Sequence, residues 1–65
     1  MEGKNLAEWR KQWRLTQRQL ANVLGVDVMT VSRWERGVRS IPSHLPLALE
    51  ALENRLKKGE KHGAE

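Results

Sequence analysis

Apolar residues in the middle of the chain recur at helical spacing in two short blocks that meet at Gly25. In the first block Leu20, Ala21 and Leu24 fall at i, i+1 and i+4, one stripe of one helix. Thr16 stands where an N-cap accepts from an unpaired backbone N–H, and Gln19 three residues on can reach back to complete a capping box, so the helix starts near Gln17. Gly25 supplies the positive φ that lets a helix stop abruptly, which places its end near Leu24. In the second block Asp27 caps a new helix beside its positive dipole end and Gly37 closes it, which predicts a helix over residues 28–36. Val31 and Trp34 share the side of this helix that packs. Residues 28, 29, 32, 33 and 36 share the other side, which is left free to touch something.

The flanks carry the same period. Leu6, Trp9, Arg10 and Trp13 fall at i, i+3, i+4 and i+7, predicting a first helix from about Asn5, as its cap, to Trp13. After Pro42, Ser43 is placed as the cap of a last helix running to about Lys58, with Pro46 in its first turn, where a missing N–H does no harm. Leu45, Ala48, Leu49, Leu52 and Leu56 make one stripe that closes the core, while Leu47 and Ala51 lie off it. Residues 59–65, with alternating charge and no apolar stripe, read as a disordered polar tail. The expectation is one all-α domain over residues 1–58, with the helix-turn-helix unit at 16–36 and no strand-like alternation.

The free face of the third helix decides what it touches. Val28, Met29, Ser32 and Arg33, with Arg36 beyond, combine cations, a hydroxyl and apolar groups. That mixture meets phosphates, base edges and thymine methyls, and a helix fits the major groove. A lone amphipathic helix with solvated arginines is the alternative, and two capped helices joined by a Gly turn weigh against it. The three Trp residues raise base stacking on single strands as another possibility. Their helical spacing assigns them to core packing instead.

The run Leu15-Thr16-Gln17, Leu20-Ala21, Leu24-Gly25-Val26, Thr30-Val31-Ser32, Trp34-Glu35, Gly37 and Ile41-Pro42 resembles the Cro/C1-type, or Xre, family of helix-turn-helix proteins, without gaps over about residues 6 to 53. The resemblance implies a compact lambda-repressor-like DNA-binding domain of four or five helices. It implies that Thr16 and Gln17 bind a DNA phosphate at a helix start. Val28, Met29, Ser32 and Arg33 would face base edges, with Arg33 pairing to guanine. Arg36, Arg39, Ser40 and Ser43 would meet the DNA backbone again. Arg10 and Glu35 would form an inward ion pair that clamps the first helix to the third, a structural rather than catalytic pair. Family members commonly carry Gly before the Leu-Thr-Gln run. Arg14 stands there, so that turn is expected to put a non-Gly residue in a strained conformation.

Composition narrows the rest. With 65 residues there is room for one small domain, and without cysteine there is neither a disulfide framework nor zinc-site spacing. His44 and His62 are read as solvated or capping residues, so neither metal nor cofactor is expected. Twelve Lys and Arg against eight Asp and Glu give a net charge of +4, a weak clue by itself. Its distribution is more telling, because Arg14, Arg18, Arg33, Arg36 and Arg39 fall in or beside the proposed reading unit while Glu50 and Glu53 fall beyond it. No apolar run approaches the ~20 residues of a membrane span and the start lacks a secretory apolar core, so a cytoplasmic protein, nucleoid-associated when bound, is expected.

No catalytic constellation, phosphate-cradling Gly loop or room for a substrate cavity is apparent, and an enzyme is not expected. The reading is a sequence-specific double-stranded DNA-binding transcriptional regulator of bacterial or phage type, a repressor rather than an activator, acting on an inverted-repeat operator. The last helix is the candidate dimer surface, through Leu47, Ala51 and Arg55. The rival is an antitoxin or other protein-binding module built on the same fold, with a toxin as partner.

Overall fold

A computed structural model describes the backbone of residues 1–63 and the side chains as far as Lys57. Four helices follow one another: α1 Gly3–Gln12, α2 Gln17–Leu24, α3 Val28–Glu35 and α4 Leu45–Gly63. No strand is present among the described residues.

The start of α2 follows from local chemistry. Thr16 Oγ1 accepts from the Gln19 N–H at 3.0 Å while the Gln19 amide oxygen accepts from the Thr16 N–H at 2.8 Å, a complete capping box. Asp27 starts α3 by accepting from the Met29 N–H at 3.3 Å. The same pair of closing bonds ends α1, α2 and α3. The Arg14 and Leu15 N–H groups donate back to Lys11 and Arg10, those of Gly25 and Val26 to Asn22 and Ala21, and those of Gly37 and Val38 to Trp34 and Arg33.

This closure needs a left-handed residue, and the three that take it are Arg14 (φ 57°), Gly25 (φ 73°) and Gly37 (φ 75°). Arg14 is therefore the strained non-Gly residue that the sequence led us to expect. A left-handed L-residue costs about 1–2 kcal/mol, partly offset by the greater backbone freedom that glycine loses on folding. Arg14→Gly is accordingly expected to stabilise the domain by about 0.5–1 kcal/mol, seen as a rise of several degrees in the thermal midpoint. An unchanged or lower midpoint would contradict the strain.

Both outer helices depart from the predicted limits. Asn5 is not the cap of α1: the helix starts at Gly3, Glu2 is the N-cap without a side-chain bond, and the Glu2 carbonyl accepts from both Asn5 and Leu6. Its first turn lies against α3, a support that spacing along α1 cannot reveal. The last helix begins at Leu45, with the Ala48 N–H donating to the His44 carbonyl, so helical bonding starts one residue after Ser43. Pro46 still lies in the first turn. At the other end α4 continues past Lys58 to Gly63, so the backbone of residues 59–63 is helical where a disordered tail was expected. Lys57, Lys58, Glu60 and Lys61 are good helix formers and work against Gly59, which costs a helix interior about 1 kcal/mol. The remainder of the tail lies outside the described residues, as does the side chain of His62.

Leu6, Leu20, Ala21, Val31, Trp34, Leu45, Leu49 and Leu52 form the buried core, one or more from each helix. Trp9, Leu15, Leu24, Val26, Val28, Ile41, Ala48 and Leu56 pack around it. Trp9 and Trp13 lie together, ring centroids 6.4 Å apart and tilted by 48°. The Trp9 indole N–H donates to Glu53 Oε2 at 3.0 Å, tying α1 to α4. That bond, with help from Lys57, holds the Glu53 carboxyl below its ordinary value. The Trp13 Nε1–H is buried with no acceptor among the described residues.

Candidate nucleic-acid interface

With Val31 and Trp34 buried, the opposite side of α3 is turned outward by helical geometry alone. Met29 is 47% exposed, and Arg33 and Arg36 are exposed farther along the helix. Ser32 is half-buried between them. Val28 is also half-buried, but its side chain packs against the core, so it offers only part of its surface to the outside. Arg39, Ser40 and Ser43, in the segment after α3, are all exposed. Arg14 and Arg18 are exposed as well, so the arginines proposed to surround the reading unit are all available to solvent or an anion.

A polar knot holds this helix in place. Arg10 Nε donates to Glu35 Oε2 at 2.7 Å and Arg10 Nη2 to Glu35 Oε1 at 3.1 Å, a two-pronged pairing across α1 and α3. The two side chains are only 13% and 8% exposed. The third prong, Arg10 Nη1, donates to the Leu15 carbonyl at 2.8 Å, and Gln17 Nε2 donates to Glu35 Oε1 at 3.0 Å. One guanidinium and one carboxylate thereby join α1, the turn after it, the start of α2 and the end of α3. Burial alone would raise the Glu35 carboxyl. The hydrogen bonds from Arg10 and Gln17 and the charges of Arg10 and Lys11 outweigh it and hold that carboxyl below its ordinary value.

The Arg10–Glu35 pair faces inward between α1 and α3, and Gln17 adds to it a bond that the sequence did not lead us to expect. Its Nε2 gives one N–H to the knot and keeps a second, and its backbone N–H stands at the α2 N-terminus. Amides in the first turn of a helix lack intrahelical acceptors and lie at the positive dipole end. The Thr16 hydroxyl is engaged as an acceptor by the Gln19 N–H and keeps its own proton to donate. No signal along the chain marks Gln17 as a partner of Glu35, since the bond depends on how α2 docks on α3.

Leu47, 69% exposed, lies on the outer side of α4 with exposed Ala51 and Arg55. Among the described residues no helix is long and apolar enough to cross a membrane, and no group of three His, Cys, Asp or Glu side chains is placed to hold a metal. Comparison with curated proteins and with solved structures finds no match. Residues 6–45, which run from the first buried residue of α1 to the first residue of α4, match the family model described as helix-turn-helix. The chain thus belongs to the Cro/C1-type, or Xre, family of helix-turn-helix DNA-binding regulators.

Proposed function

We propose that the chain is a sequence-specific transcriptional repressor that lays α3 in the major groove of double-stranded DNA. The observation that carries this reading is the outward side of α3, where Met29, Ser32 and Arg33 stand together and Arg36 and Arg39 follow at the end that would cross a phosphate backbone. Val28 adds an apolar edge at the start of the stripe. Arg36, Arg39, Ser40 and Ser43 bind phosphates, as do the Thr16 hydroxyl and the Gln17 backbone N–H at the α2 N-terminus. These contacts set register, and Arg33 sets sequence.

Two chains act together on an inverted repeat, meeting through Leu47, Ala51 and Arg55 of α4. Exposure of Leu47 on a domain this small supports that surface, since pairing would bury it and double the number of phosphate contacts. Half-sites then lie about 34–36 Å apart, one DNA turn. Sedimentation with a bound operator duplex is expected to show two chains per duplex, and a single chain would contradict the dimer. Occlusion needs no contact beyond the DNA itself, so a promoter overlapping the bound site is expected to lose transcription when the protein is added. Unchanged or increased transcription at full occupancy would overturn the repressor assignment.

A further inference from the structure

The first residue of α1 touches the last residues of the reading helix, and only glycine fits there. An ideal Cβ built on Gly3 falls 2.3 Å from the Trp34 carbonyl oxygen, 2.6 Å from that of Glu35 and 2.9 Å from the Glu35 carbonyl carbon. All three are backbone atoms, so no side chain can swing aside. Opening the closest approach even to 3.0 Å moves the two backbones apart by about 0.7 Å. Electrostatics favours the close approach, because the positive N-terminal end of α1 faces carbonyls at the negative end of α3.

We propose that Gly3 is a positioning residue for DNA recognition, setting the tilt of α3 by admitting this backbone contact. The proposal rests on the reading of α3 as the DNA-reading helix. Gly3 and Arg10 stand about 10 Å apart along α1 at 1.5 Å per residue. Both hold residue 35, Gly3 against its carbonyl and Arg10 through its carboxylate. Two points of attachment on one rod fix an angle as well as a distance. The rod itself is anchored, with Leu6 fully buried and Trp9 bonded to Glu53. Displacement at Gly3 therefore passes to the end of α3 that carries Arg33 and Arg36. Base contacts depend on orientation to within a fraction of an ångström, while phosphate contacts through long arginine side chains tolerate such a shift.

The test compares Gly3→Ala with the unaltered chain and with Leu56→Ala, a variant weakened in α4 away from the reading helix. Affinity, corrected for folded fraction, is measured for the selected operator and for a random duplex, and backbone amide resonances are recorded without DNA. Gly3→Ala is expected to lose at least tenfold in operator affinity while keeping its random-duplex affinity and salt slope. Its free-protein amide resonances over residues 33–38 are expected to shift, and those of Leu56→Ala to stay in place. The same comparison in an Arg14→Gly background keeps the result readable if Gly3→Ala alone is too unstable. Unshifted amides, or parallel losses on both duplexes, would overturn the positioning role. An unaltered chain that prefers no sequence would overturn the DNA reading itself, and this proposal with it.

Discussion

Glu35→Ala is expected to remove a large share of the domain's stability and to weaken DNA binding without removing any DNA contact. The substitution leaves the Arg10 guanidinium, 13% exposed, without the carboxylate that two of its nitrogens grip, and strips Gln17 of its acceptor. The pair is mostly rather than fully buried, so breaking it from one side costs toward the lower end of about 3–5 kcal/mol. A domain of 65 residues has in total about 3–10 kcal/mol at the usual value per residue, so the loss is a large share of the whole. Chemical denaturation would show a much lower midpoint, and a loss below about 0.5 kcal/mol would contradict the clamp. Replacing both partners by apolar residues of similar size, Arg10→Met with Glu35→Leu, is expected to recover much of the stability, because no charge is then left stranded.

Acid separates the same interaction. The Glu35 carboxyl is held below its ordinary value in the folded chain, so the unfolded chain takes up this proton first as the pH falls. The stabilisation is complete above the unfolded value and disappears as the pH drops through the folded one. Glu53 contributes in the same direction, its carboxyl also being lowered, chiefly by the Trp9 N–H. Glu35→Gln against the unaltered chain isolates the Glu35 share as the part of the acid limb that the variant lacks.

Arg33→Ala is expected to produce the largest change in specificity. A guanidinium that donates twice to guanine O6 and N7 contributes about 1–3 kcal/mol of discrimination, roughly five- to 150-fold between the right and the wrong base. The variant should lose that preference at one position in each half-site and keep its affinity for random duplex. Arg33→Lys should lose most of it too, since an ammonium cannot make the planar two-pronged contact. Arg36→Ala makes the contrast: as a phosphate contact it should weaken all sequences alike and reduce the salt slope by about one. Equal loss of operator and random binding in Arg33→Ala would contradict this division of labour.

What the sequence makes legible follows how local the determining interaction is. The limits of α2 and the start of α3 are readable because Thr16, Gln19, Gly25 and Asp27 act within a few residues of themselves. The left-handed turn at Arg14 is legible only through the family resemblance, since an arginine carries no local sign of a positive φ, whereas the stripe of α4 marks the core residues Leu45, Leu49 and Leu52. The start of α1 is not readable from Asn5, because its first turn is supported by the carbonyls of Trp34 and Glu35, which are remote in sequence. Gln17 looks like a surface residue at a helix start until the docked α3 brings Glu35 beside it. Trp9 and Glu53 are 44 residues apart, and nothing in the spacing of either helix pairs them. Val28 shares the outward stripe by angle, yet it stands at the first turn of α3, near enough to the core to pack on it.

Selection of binding sites from a random duplex library with the purified chain, followed by affinity measurements on the enriched site at two salt concentrations, decides whether α3 reads DNA by sequence. An inverted repeat with half-sites about one DNA turn apart is expected to emerge, with an affinity that falls steeply with salt. No enrichment, or weak binding indifferent to sequence, would contradict this reading of α3.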